Sequence, residues 1–302
     1  MKPILFTLPG NDKFAATLKR QFECQEGEFT MRSFPDGETY LRINSNVKDR
    51  EVILLDTLVN PDNKTLPLLF LATTAKEQGA SRVGLLAPYL AYMRQDISFQ
   101  TGESVTTKHY AHLLSTYLDW LITVDPHLHR IRSLNEIFSI PNGLVHSAPL
   151  IANWIVAQVN NPLILGPDSE SKQWVAEVAM LAKAPHAVFS KRRLGDRKVI
   201  LEMADISSHK GCTPVLVDDI ISTGTTMIKT IKLLTDKFIH KPVCIGIHGI
   251  FCGEAFDDLI EAGTVRVVTT NTILHPTNDI DVTPQVIPEI EKMLTIQSID
   301  RN

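Results

Sequence analysis

Short apolar runs recur along the chain, separated by longer segments of helical period, and this alternation restricts the fold more than any other feature. Val52-Ile53-Leu54-Leu55, Val83-Gly84-Leu85-Leu86-Ala87 and Leu121-Ile122-Thr123-Val124 punctuate the first half. Leu163-Ile164-Leu165, Val215-Leu216-Val217, Val243-Cys244-Ile245-Gly246-Ile247 and Val265-Arg266-Val267-Val268 punctuate the second. Near-continuous β-rich runs suit strands buried on both faces. Between them, residues 65–78 and 106–117 have helical period. The alternation predicts an α/β class built on parallel sheets covered by helices. Ligands of such sheets sit beyond the carboxyl ends of the strands, so chemistry is expected there.

A chain of 302 residues suits two domains, at roughly 100–200 residues each. An internal echo supports this. Val52 to Asp56, a polar loop, a helix and the next strand repeat as Val215 to Asp219, a polar loop, a helix and the next strand. Pro141-Asn142-Gly143 reads as the boundary turn, giving domains 1–143 and 144–302 of similar parallel-sheet type. Thirty basic against 34 acidic residues leave a net charge of −4, which argues against a nucleic-acid partner. No apolar run approaches the ~18 residues of a membrane span. The four cysteines lack zinc spacing and read as reduced thiols of a cytoplasmic protein.

The most informative passage is Val215-Leu216-Val217-Asp218-Asp219-Ile220-Ile221-Ser222-Thr223-Gly224-Thr225-Thr226. A buried strand ends in two carboxylates, which can accept hydrogen bonds from a vicinal diol. A hydroxyl-rich loop then enters a helix at 227–234, whose free N–H groups and dipole favour a phosphate. Diol plus phosphate describes a ribose 5-phosphate moiety. One capping residue would serve a helix start, so capping alone does not account for the pattern.

This Asp-Asp-x-x-x-Thr-Gly-x-Thr run resembles the phosphoribosyl diphosphate (PRPP) loop of the type I phosphoribosyltransferase fold. That fold serves both phosphoribosyltransferases and the ribose-phosphate pyrophosphokinases, or PRPP synthetases. Five further segments resemble the synthetase, in its order. Phe34-Pro35-Asp36-Gly37-Glu38 is similar to a loop that reaches a neighbouring subunit's ATP site. Physically, Phe34 offers a stacking face for adenine, and Asp36 and Glu38 can accept from its amine. Pro88-Tyr89-Leu90-Ala91-Tyr92-Met93-Arg94-Gln95-Asp96 supplies a cationic fork at Arg94 and an amide at Gln95. Asp125-Pro126-His127 resembles the family's Asp-Leu-His, whose His helps hold Mg-ATP. His129 completes a His-x-His spacing, but two His without further ligands make a thin zinc site, and hard-cation chemistry fits better. Gly166-Pro167-Asp168 resembles a segment whose carboxylate reaches a metal or the pentose, with Ser169-Glu170-Ser171 in place of the usual glycines. Ser190-Lys191-Arg192-Arg193 resembles the catalytic loop's Lys-x-Arg, though Leu194-Gly195-Asp196 departs from the common continuation. His248-Gly249-Ile250-Phe251 and Thr270-Asn271-Thr272-Ile273 resemble paired strand-end signatures of architectural role.

The resemblance implies a homo-oligomeric enzyme, with the ATP site shared between subunits, that makes PRPP and AMP from ATP and ribose 5-phosphate with Mg²⁺. It implies Lys191 and Arg193 as catalytic, and Phe34, Asp36, Glu38, Arg94 and Gln95 as ATP-binding. Asp218, Asp219, Ser222, Thr223, Gly224, Thr225 and Thr226 would bind ribose 5-phosphate, and His127 and Asp168 the metal. Two alternatives are a catalytically silent regulatory homologue and a phosphoribosyltransferase. The second leaves the Phe34 loop and Arg94-Gln95 without a role.

Overall fold

Two six-stranded, all-parallel sheets of matching strand order form the frame. The computed structural model describes residues 1–168, 171–193, 199–202, 207–235 and 238–296. In chain order the first sheet's elements are β1 (Ile4–Thr7), α1 (Asp12–Gln21), β2 (Gln25–Glu26), β3 (Phe29–Ser33), β4 (Thr39–Ile43), β5 (Glu51–Leu55), α2 (Pro61–Glu77), β6 (Arg82–Ala87), α3 (Thr106–Tyr117), β7 (Trp120–Val124) and β8 (Asn142–Val145). The second set is α4 (Ala148–Gln158), β9 (Pro162–Gly166), α5 (Lys172–Ala182), β10 (His186–Val188), β11 (Ser190–Arg193), β12 (Val199–Glu202), β13 (Thr213–Ile221), α6 (Thr225–Thr235), β14 (Val243–Gly249), α7 (Ala255–Glu261), β15 (Arg266–Thr270) and β16 (Asn278–Ile280). Helix α8 (Thr283–Thr295) follows.

The sheets run β2-β1-β5-β6-β7-β8 and β10-β9-β13-β14-β15-β16. Every residue of β6, β7 and β14 is buried, as the unbroken apolar runs predict. In the first sheet Val52, Leu54, Val83 and Leu85 share a core with Leu68, Leu71 and Ala72 of α2 and Ala111 and Leu114 of α3. Registers align the two sheets residue by residue. Val52 pairs with Val83 as Val215 pairs with Val243, so Asp56 in the first sheet corresponds to Asp219 in the second.

The chain divides into Met1–Val145 with the segment from Thr283 onward, and His146–Val282. The expected division into 1–143 and 144–302 differs from this at the C-terminus, for a physical reason. Arg82, at the start of β6, donates from Nη2 to the carbonyls of Met293 (3.0 Å) and Leu294 (3.3 Å) and from Nη1 to Ile296 (2.6 Å). A guanidinium on the last carbonyls of a helix satisfies orphan acceptors and complements the dipole. It ties α8 to the first sheet.

Of Pro141-Asn142-Gly143, expected as a turn, Asn142 and Gly143 instead open strand β8. A Cβ on Gly143 would lie 2.8 Å from Glu289 Oε2 and 3.2 Å from Ile122 Cγ1. The glycine marks the close approach of α8 to the strand. No helix among the described residues is long and apolar enough to cross a membrane.

Candidate active site

In the second unit, β13 carries Asp218 and Asp219 inside the strand and runs on to Ile221. The sequence placed them at its very end. The reason is the length of β14, which pairs Gly246 with Asp218, His248 with Ile220 and Gly249 with Ile221. Asp218 is half-buried and Asp219 buried. Each carboxylate accepts from the amide that follows it, Asp219 N–H at 3.2 Å and Ile220 N–H at 2.8 Å.

Ser222, Thr223 and Gly224 then turn into α6, which begins at Thr225, two residues before the expected start. Gly224 takes the left-handed conformation, at φ +66°. An added Cβ there would make only ordinary contacts, near 3.5 Å, so the conformation itself calls for glycine. Thr225 lies in the first helical turn and needs no positive φ. The Thr223 and Thr225 hydroxyls hydrogen-bond at 3.0 Å. Thr223 and Thr225 are exposed, Ser222 and Thr226 half-buried. The loop presents hydroxyls and helix N-terminal amides to solvent.

Asp168 is half-buried just past β9, and its carbonyl accepts from the Ser171 hydroxyl at 2.6 Å. A Cβ on Gly166 would stand 2.3 Å from that hydroxyl, so this glycine is needed for space. Ser169 and Glu170 lie outside the described residues. Lys191 and Arg193 stand two apart on β11, in an antiparallel ribbon that pairs them with Leu201 and Val199. Leu194-Gly195-Asp196 lies outside the described residues.

In the first unit, Phe34, Asp36 and Glu38 occupy the exposed tip of the β3–β4 hairpin. Phe34 N–H donates to Glu38 O at 2.7 Å, and Asp36 Oδ1 accepts from the Glu38 amide at 3.2 Å. Gly37, at φ +94°, allows the turn. Arg94 is exposed after β6. Gln95 Oε1 accepts from Thr106 Oγ1 at 3.1 Å, so the N-terminus of α3 orients the amide. His127 follows β7, half-buried, with its Nδ1 3.1 Å from His129 Nε2 and the rings nearly perpendicular.

The profile of the N-terminal domain of ribose phosphate pyrophosphokinase matches residues 3–117, and that of the phosphoribosyl transferase domain residues 133–278. A ribose-phosphate pyrophosphokinase of Saccharolobus solfataricus is 35% identical over 254 residues, 82% of this chain and 85% of its own. The chain belongs to the ribose-phosphate pyrophosphokinase family. The pyrophosphokinase of Methanobrevibacter smithii is 30% identical over 80% of this chain and 84% of its own. Phosphoribosylpyrophosphate synthetase from Mycobacterium smegmatis shares the fold, with a TM-score of 0.84 at 22% identity over 97% of this chain and 99% of that one. The protein is therefore an enzyme of the pyrophosphokinase class on two phosphoribosyltransferase-type domains.

Within this pyrophosphokinase fold, some site-shaping residues escaped the sequence. Ile250 and Phe251 N–H both donate to Ile221 O, at 2.9 and 3.0 Å, and Cys252 N–H donates to Ser222 O at 3.0 Å. These amides brace the hydroxyl-rich loop from the segment after β14. Phe251 reaches them with φ +48°, uncommon for an aromatic residue. The His248-Gly249-Ile250-Phe251 signature was the available signal. Arg32 lies over the rings of Phe34 (4.8 Å) and Tyr40 (4.5 Å), and the alternation of β3 and β4 could have grouped them.

Proposed function

We propose that this pyrophosphokinase transfers the β,γ-diphosphoryl group of ATP to the anomeric hydroxyl of ribose 5-phosphate, giving PRPP and AMP. The observation that carries the reading is the 218–226 passage of the second unit. Two strand-borne carboxylates and a braced loop of hydroxyls at a helix N-terminus suit a diol and a phosphate together. Asp218 and Asp219 hold the diol. Ser222, Thr223, Gly224, Thr225 and Thr226 hold the 5-phosphate.

The first unit carries the ATP contacts. Arg94 offers its fork to the polyphosphate, Gln95 its amide, and Phe34, Asp36 and Glu38 serve the adenine of a neighbouring subunit in a homo-oligomer. Lys191 and Arg193 neutralise the charge that develops as the bond to the α-phosphate oxygen breaks, which is the main demand of a loose phosphoryl transfer. The sugar hydroxyl then needs little activation by a base.

A Mg²⁺ requirement fits the donors present. The half-buried Asp168 carboxylate at a strand end is an oxygen ligand of the kind a hard cation takes beside water and phosphate oxygens, and the half-buried His127 imidazole would act on the cation's waters or the phosphates. When bound, Mg²⁺ would supply charge neutralisation on the polyphosphate. A silent homologue would have no use for the retained Lys191 and Arg193. The test is AMP release on mixing the enzyme with Mg²⁺, ATP and ribose 5-phosphate. Release that depends on all three supports the reading, and ATP turnover indifferent to the sugar overturns it.

A further inference from the structure

Asp96 and Arg130, 34 residues apart, join the loop after β6 to the loop after β7. Arg130 Nη1 donates to Asp96 Oδ1 at 2.8 Å, and the Arg130 amide donates to Asp96 Oδ2 at 3.2 Å. One residue thus occupies both carboxylate oxygens with side chain and backbone. The Asp96 side chain is 1% exposed and that of Arg130 42%. The guanidinium also lies 5.3 Å from the ring centre of Phe99, a cation–π contact.

Burying a carboxylate is costly, and a paired charge often stabilises no better than a packed apolar residue. What the pair supplies distinctively is geometry. Asp96 directly follows Arg94 and Gln95, and Arg130 comes three residues after His127. Along the first loop Met93 and Asp96 are buried, while Arg94 is exposed and Gln95 half-buried. The inward carboxylate fixes the backbone from which Arg94 projects. The Arg130 amide carries the same constraint into the turn of His127.

We propose that Asp96 and Arg130 are positioning residues for ATP, holding Arg94, Gln95 and His127 in one arrangement without touching the nucleotide. The inference rests on the reading of Arg94 and Gln95 as ATP contacts. It predicts that the pair acts as a unit, and on one substrate only.

The experiment compares Asp96→Asn, which keeps size and one acceptor, with Arg130→Met, which keeps the stem, Arg130→Lys, and the Asp96→Asn/Arg130→Met double variant. Arg94→Ala serves as the control for the ATP site. Thermal melting establishes which variants are folded; should Arg130→Met unfold, Asp96→Asn and Arg130→Lys carry the comparison. Each folded single variant should lower kcat/KM for ATP by about 10- to 100-fold, the scale of a small misplacement near the reacting groups. KM for ribose 5-phosphate at saturating ATP should stay within about twofold, as for a site without shared partners. The double variant should be no worse than the poorer single one, because both break the same clamp. Unchanged kcat/KM for ATP, equal losses toward both substrates, or additive losses would overturn the proposal. An Arg94→Ala enzyme unimpaired toward ATP would remove the reading beneath it, and the inference with it.

Discussion

Lys64 Nζ stands 2.7 Å from Asp56 Oδ1, at the position in the first sheet that Asp219 holds in the second. Asn11 Nδ2 donates to the same oxygen at 3.2 Å, and Lys64 also reaches the Thr57 carbonyl. The first unit's strand-end carboxylate is thereby committed to its own chain. In the second unit the corresponding carboxylate precedes a loop of hydroxyls. The matching frames differ at this position, and among the described residues the second sheet's carboxylate is followed by hydroxyls at a helix N-terminus.

That commitment has a consequence in pH. Burial raises the Asp56 carboxyl above its ordinary range, outweighing the lowering by Lys64 and Asn11. A raised folded value means the folded chain binds the proton more readily than the unfolded one. The corresponding stability is present below the ordinary carboxylate pKa of about 4 and declines as pH rises through the raised value. Denaturation midpoints of parent and Asp56→Asn should show the parent losing ground relative to the variant as pH rises across this window. A difference independent of pH would contradict the assignment.

Arg82 should matter to stability without touching chemistry. Arg82→Met leaves the last carbonyls of α8, and Glu51 Oε1 at 2.6 Å from Arg82 Nε, without their charged donor, and hydrogen bonds to charged groups are worth about 1.5–3 kcal/mol each. Urea denaturation should register a loss of that order, while KM values for both substrates hold. A variant as stable as the parent would show that α8 does not depend on this contact.

Much of this frame was legible in advance. The buried runs gave the strands because sheets covered on both faces leave an uninterrupted apolar signature, and α3 spans the expected 106–117. Gly143 misled because composition cannot distinguish a turn from a close approach; the neighbour that requires it, Glu289, is far along the chain. The extent of β13 depended on how far β14 continues, which is a property of the partner strand. Asp218, Asp219 and the loop hydroxyls were readable because they are consecutive. The Asp96–Arg130 pair was hidden by its sequence separation, and the amides behind Ser222 by belonging to the backbone.

Lys191→Ala and Arg193→Ala should each reduce kcat by about two to five decades, in line with lost transition-state donors. KM for ATP should change little, since the proposed role of these cations is to meet charge that develops during transfer. Steady-state kinetics at saturating sugar make the comparison. Parent-like kcat in both variants would remove the catalytic assignment.

If Phe34, Asp36 and Glu38 serve a neighbour's nucleotide, two dead chains can rescue each other. Phe34→Ala and Lys191→Ala enzymes, each nearly inactive, should regain partial activity when mixed under conditions that exchange subunits. Full activity of a demonstrably monomeric preparation would rule the shared site out.

At the hydroxyl-rich loop, Gly224 already supplies the left-handed residue, so Thr225→Gly, which removes one of several hydroxyls and its contact to Thr223, should not abolish activity. Thr226→Val, nearly isosteric, should raise KM for ribose 5-phosphate with kcat close to the parent's. Asp219→Asn should weaken diol binding by roughly 1–2 kcal/mol, the difference between charge-assisted and neutral hydrogen bonds. It should also discriminate less strongly against 2-deoxyribose 5-phosphate. Equal use of both sugars by the parent, with an unaffected Thr226→Val enzyme, would place the pentose elsewhere.

The central claim is a diphosphoryl transfer, and the fate of the ATP phosphorus atoms tests it most directly. The enzyme is mixed with Mg²⁺, ribose 5-phosphate and ATP labelled separately at the β and γ positions, and the products are separated. The account predicts AMP equal in amount to a sugar product that carries both labels at its anomeric carbon. ADP with a singly labelled sugar, or both labels released as free phosphate, would contradict it.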